Sequence, residues 1–223
     1  MAAKRRKNRE EAAEIKAIID AEIKEGCKPL PPEKEEKREI PEAEEKAPKE
    51  KIRALFTGER VVTENSDASR ELYNQSRFGA ILDDGKVQLA FFEAMFLSEK
   101  GKIEIVDSNE KKIDKENFFK KVKRIDKNVW VRYSVFKDLR NRGYIVKTAL
   151  KFGADFRVYD RGIKPGEDHA KWIVYPVHES GSSTWYEFAA KNRVAHSTKK
   201  RLLIGIVDDE GDVTYYEIKW IRP

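Results

Sequence analysis

Three residues in the second half of the chain carry side chains suited to handling protons and charge at a phosphodiester. Tyr159 sits near the end of a strand-like run, residues 157–161 (RVYDR). His169 closes the glycine- and proline-containing loop 162–169 (GIKPGEDH), and Lys200 ends a helical stretch just before the apolar run that starts at Leu202. Breaking RNA without a metal requires a base for the 2′-hydroxyl proton, an acid for the 5′-oxygen and a cation against the charge of the pentavalent transition state. Tyrosine, histidine and lysine can fill these roles. Spacing alone leaves the plainer alternatives open, since a strand-end tyrosine is commonly a half-buried amphipathic residue and a loop histidine is commonly solvated. The other histidines, His178 after a strand and His196 within a helix, read as structural residues. A rival chemistry would place Mg²⁺ among Asp155, Asp160 and Asp168, although no Asp…Glu-x-Lys arrangement on adjacent strands accompanies them. Gly-rich phosphate loops, serine nucleophile elbows and His-x-x-x-His zinc helices are absent from the sequence.

These residues need a sheet to hold them. Residues 144–148, 156–160, 172–177, 202–207 and 213–218 are rich in Val, Ile, Tyr and Trp, which predicts strands of one mixed sheet. Helical periodicity predicts helices over 129–142, stopped by Gly143, and over 185–200. Between the last two strands Asp208, Asp209, Glu210 and Asp212 surround Gly211 in a tight polar turn. Upstream, short strand-like runs at 53–56 and 60–63 precede a polar stretch. Residues 87–100 then place Leu89, Phe92, Met95 and Phe96 on one helical face, 102–106 alternates like a strand, and 115–124 reads as a helix with Phe118, Phe119 and Val122 inward. The predicted fold is an α+β amino-terminal domain over 51–128, followed by an α/β carboxy-terminal domain over 129–223 whose central mixed sheet is flanked by helices.

Composition sets the first fifty residues apart. They hold 13 Lys/Arg against 14 Asp/Glu, no aromatic and five of the eight prolines, a mixture that buries too little surface to offset ordering entropy. A largely disordered tail is expected there, with a possible amphipathic helix over 10–24 carrying Ile15, Ile18, Ile19 and Ile23. The chain's net charge of +6 therefore rests on the remaining 173 residues, which carry +7. The lone Cys27 excludes an internal disulfide and a Cys-rich zinc site. No apolar run approaches the length of a membrane span, and the basic first residues lack a following apolar stretch, so a soluble, cytoplasmic protein is expected.

Three long segments carry a resemblance. Residues 133–147 (YSVFKDLRNRGYIVK), 151–162 (KFGADFRVYDRG) and 193–203 (RVAHSTKKRLL) closely resemble the archaeal tRNA-splicing endonuclease family, and the similarity runs from about Arg53 to Pro223. The resemblance implies a metal- and cofactor-free nuclease that cuts precursor tRNA at bulge-helix-bulge junctions, leaving a 2′,3′-cyclic phosphate and a 5′-hydroxyl. By matching position it implies Tyr159 as general base, His169 as general acid and Lys200 as transition-state cation. Arg193 matches an arginine that grips a bulge base from the opposing subunit. Trp220 lies near the second gripping position, where a core tryptophan is an equal alternative. It further implies an assembly of four domain pairs, either a homotetramer or a heterotetramer with a structural subunit. There the acidic residues Asp208, Asp209, Glu210 and Asp212 would dock into a basic cleft of a neighbour, while the final strand would pair across a dimer. A catalytically silent RNA-binding subunit is the rival of a different class, against which the joint presence of Tyr159, His169 and Lys200 counts.

Overall fold

The computed structural model describes residues 51–163, 166 and 169–221, which fall within one compact unit, Lys46–Pro223. The expectations for residues 1–50, and the placement of Asp168, lie outside the described residues. Alternation drives the first sheet. In β1 (Ile52–Phe56) Ile52, Ala54 and Phe56 are buried while Arg53 and Leu55 face out, as a half-covered sheet requires. β1 pairs antiparallel with β2 (Val61–Thr63) and parallel with β5 (Ile103–Val106). With β3 (Ala80–Ile81) and β4 (Val87–Leu89) the order is β3-β4-β2-β1-β5. Helices α1 (Asp67–Asn74), α2 (Phe91–Glu99) and α3 (Lys115–Ile125) complete this half.

Two local expectations are corrected. Residues 87–100 are not one helix: Val87 and Leu89 alternate with Gln88 as β4, and the Val87 N–H donates to the Thr63 hydroxyl at 3.0 Å. The chain turns at the extended Ala90, whose N–H donates to Glu93 at 2.9 Å, and only then winds into α2. Pairing with β2 overrides the helical spacing of this segment. The polar stretch after β2 contains α1, started by Ser66, whose hydroxyl accepts from the Ser69 N–H at 3.2 Å.

The second half follows the sequence closely. Helix α4 (Val129–Asn141) ends where Gly143 takes φ +86°, with Gly143 and Tyr144 donating back to Arg140 and Leu139. Strands β6 (Ile145–Ala149), β7 (Ala154–Tyr159), β8 (Trp172–His178), β9 (Arg201–Val207) and β10 (Val213–Ile218) form a mixed sheet of order β10-β9-β8-β7-β6. β8 and β9 are its parallel pair and therefore need a crossover, which α5 (Trp185–Ser197) supplies. Among the described residues no helix is long and apolar enough to cross a membrane.

One hydrophobic core joins both halves. Phe92 and Phe96 of α2 meet Phe136 of α4 and Phe156 of β7, with ring centroids 5.4–6.2 Å apart. Beside this cluster Glu93 is buried but fully used. Its Oε1 accepts from the Gly79 N–H (3.0 Å) and from Lys147 Nζ of β6 (3.1 Å), and its Oε2 takes the Ala90 N–H. Replacing Glu93 by alanine leaves the largely buried Lys147 ammonium without its counter-charge, with only the Gly79 carbonyl at 2.8 Å to accept from it, and losing one partner of such a pair costs about 3–5 kcal/mol. We predict a clearly lower urea midpoint for Glu93→Ala; an unchanged midpoint would show that this pair does not tie the halves together.

Candidate active site

Sheet register brings the three chemically suited residues to one edge. Val158 of β7 stands opposite Trp172 of β8, and Trp172 stands opposite Arg201 of β9, giving one row across three strands. The Lys171 N–H donates to the Val158 carbonyl at 2.9 Å, and the Arg201 N–H donates to the Lys171 carbonyl at 3.0 Å. Just beyond this row come Tyr159, the last residue of β7, then the loop containing His169, and Lys200 before β9. Period two separates the faces of β7: Phe156 and Val158 enter the core, while Arg157 and Tyr159 share the other face.

Lys200 is positioned by the way α5 ends. Lys199 adopts φ +55°, Lys199 N–H donates to His196 and Lys200 N–H donates to Ala195. This is the hydrogen-bond pattern that ends α4 at Gly143, here with lysine in the left-handed position that favours glycine. The Lys200 ammonium donates to the Thr198 carbonyl at 2.9 Å and lies 5.5 Å from the centre of the Phe152 ring. Tyr159, His169 and Lys200 line a single cavity of about 350 Å³, together with Phe152, Arg157 and Ala170. His169 is exposed at its mouth and Tyr159 is largely covered. Arg157 and Phe152 were not singled out from the sequence. The i, i+2 spacing from Tyr159 would have found Arg157; Phe152 reaches the site through the short 3₁₀ turn Leu150–Phe152, which leaves no comparable signal.

Of the three carboxylates of the rival metal reading, the two among the described residues, Asp155 and Asp160, are engaged elsewhere. Asp155 pairs with the Arg132 guanidinium at 2.6 Å, and burial raises its carboxyl above the ordinary range against the pull of that arginine. Asp160 accepts from Lys171 Nζ at 2.7 Å, a hydrogen bond that holds its carboxyl below the ordinary range. The structural reading of the other histidines fits their contacts. His178 Nδ1 lies 2.7 Å from the Ser180 hydroxyl and its Nε2 3.2 Å from Asp209, and the His196 ring packs on Trp220 at 4.5 Å.

Arg193 and Trp220 do not join the trio. Arg193 is exposed on α5 one turn before His196, and Trp220, about half exposed, packs against that histidine from beyond β10. Both thus belong to one side of α5, and neither lines the cavity. The acidic turn is well built: Asp208 accepts the Asp212 N–H at 2.8 Å, and Gly211 takes φ +91°. Asp209 and Glu210 are exposed, Asp209 beside His178. A larger cavity, about 710 Å³, lies between α2, α3, α4 and this turn. It holds no histidine, and its Lys137 is paired with Glu99 at 2.7 Å.

Residues 129–215 match the catalytic C-terminal domain of tRNA intron endonucleases, and residues 52–119 match their N-terminal domain. The tRNA-splicing endonuclease of Thermococcus onnurineus is 39% identical over 174 residues, covering 78% of this chain and 99% of the relative. Those of Nanoarchaeum equitans and Methanothermobacter thermautotrophicus are 46% and 38% identical, covering 64% and 74% of this chain and 94% and 96% of the relatives. With both domains matched and nearly the whole length of these archaeal relatives covered, the chain belongs to the tRNA intron endonuclease family.

Proposed function

We propose that this protein removes introns from precursor tRNA in the cytoplasm by cutting at bulge-helix-bulge junctions, without a metal or other cofactor. The observation that carries the chemistry is the shared cavity of Tyr159, His169 and Lys200. Tyr159 takes the proton from the 2′-hydroxyl as the 2′-oxygen attacks phosphorus. The bond from phosphorus to the 5′-oxygen breaks, and His169 delivers a proton to the departing oxygen. Lys200 faces the charge that builds on the phosphoryl oxygens, a place where fixed charge acts strongly. The products are a 2′,3′-cyclic phosphate and a 5′-hydroxyl, as in a tRNA-intron lyase. Because the nucleophile belongs to the substrate, no water needs activating. The engagement of Asp155 and Asp160 by Arg132 and Lys171 supports the same reading.

The separation of Arg193 and Trp220 from the trio suits a composite site. Their planar groups would hold a bulge base for the active site of a neighbouring protomer, as stacking on guanidinium and indole favours. Assembly into a tetramer, or a heterotetramer with a structural subunit, would use the acidic turn: four carboxylates within five residues repel one another unless a basic surface meets them.

Three measurements test this. His169→Ala is expected to slow cleavage of a bulge-helix-bulge RNA by ~10²- to 10⁴-fold with little change in RNA affinity, since proton transfer acts in the transition state. Parallel loss of affinity would reduce His169 to a binding residue. Arg193→Ala should weaken productive binding and Arg193→Lys should restore it poorly; full recovery with lysine would make the residue a phosphate contact. Joint Asp208→Lys and Asp209→Lys should lower the mass seen by light scattering while the fold survives, and an unchanged mass at micromolar concentration would remove the turn from assembly.

A further inference from the structure

A third cavity, about 460 Å³, lies where α1, β4 and α2 meet β6 and β7, and its lining includes Arg77, Lys147 and Arg157. Its lining carboxylate is Glu93, both of whose oxygens are occupied by the Gly79 and Ala90 N–H groups and the Lys147 ammonium. Lys147 is thereby paired. The two guanidiniums are not: among the described residues neither Arg77 nor Arg157 has a carboxylate within ion-pair distance, and the Nε of each is shut off from solvent with no acceptor. Arg77 rests near the Tyr73 ring at 5.6 Å, Arg157 near the Tyr159 ring at 5.9 Å. Partly desolvated cations without a counter-charge are costly. Arg77 closes α1 in the left-handed conformation, φ +56°, with its N–H donating to the Tyr73 carbonyl and the Phe78 N–H to the Leu72 carbonyl.

Arg157 also lines the catalytic cavity, so the two cavities share a wall. We propose that Arg77 and Arg157 form a phosphate-binding subsite for the RNA strand as it continues from the scissile position. This rests on the reading of the catalytic cavity as an RNA-cleaving site and adds the path of the substrate backbone. A phosphodiester supplies the missing anion, and the guanidinium fork fits its oxygens in pairs, which an ammonium cannot do. The connection to the catalytic cavity favours RNA over a protein carboxylate, because a strand held at Tyr159, His169 and Lys200 must carry its neighbouring phosphates past Arg157.

The test uses Arg77, which does not line the catalytic cavity. Arg77→Gly removes the charge while relaxing the backbone, so the variant should fold with unimpaired stability. Arg77→Gln and Arg77→Lys complete the series. With bulge-helix-bulge RNA, Arg77→Gly and Arg77→Gln should raise KM about tenfold, the loss falling on KM rather than kcat, as for a charged hydrogen bond. The slope of log affinity against log salt should fall by ~0.7, one single-strand phosphate contact, and Arg77→Lys should restore the slope better than the affinity. Unchanged KM and slope in folded variants, with normal cleavage by the wild type, would overturn the subsite and leave the catalytic reading standing. A smaller assembly with an unchanged salt slope would also overturn it, assigning the cations to an acidic protein surface. If the wild type does not cut the RNA, the catalytic reading itself fails.

Discussion

The arrangement depends on the register of three strands. Val158, Trp172 and Arg201 form one hydrogen-bonded row, and the residues just past it are Tyr159, the His169 loop and Lys200. A slip of one residue in β7 would turn Tyr159 and Arg157 into the core and Phe156 and Val158 out of it. The packed Phe92, Phe136 and Phe156 rings oppose such a slip. The core is therefore what holds the spacing of the chemistry. The parallel pairing of β8 and β9 adds the second requirement, since a crossover helix must return Lys200 to the same edge from which Tyr159 leaves.

Much of this was legible in the sequence because local pattern and tertiary context agree in the second half. Strands from Ile145 to Ile218 are rich in branched and aromatic residues, and α4 stops at a glycine. In the first half they disagree. α1 is only eight residues long and buries only Ser69 and Leu72, so few apolar residues mark it against its polar flanks and its capping serine was the usable signal. Leu89 falls on a helical face with Phe92, Met95 and Phe96 by spacing, yet belongs with Val87 to a strand that pairs with β2. Short apolar runs carry both periods, and only the partner strand decides between them.

The site was less legible than the sheet. Tyr159, His169 and Lys200 are scattered along the chain, and nothing local links them. Long similarity segments singled them out where spacing could not. Arg157 could have been read from strand periodicity, whereas the cavity it shares with Arg77 depends on how the two halves pack. That packing also explains why Glu93, an ordinary helix-start carboxylate by sequence, becomes a buried junction between α2, Gly79 and Lys147.

In the proposed reaction this fold cuts RNA with its own side chains and the substrate's own nucleophile. The most direct measurement is the chemistry of the ends produced by the purified full chain, acting on a bulge-helix-bulge RNA in excess EDTA. Metal-free attack by the 2′-oxygen predicts undiminished cleavage with 2′,3′-cyclic phosphate and 5′-hydroxyl ends. Cleavage abolished by EDTA, restored by Mg²⁺ and leaving 3′-hydroxyl ends would contradict it.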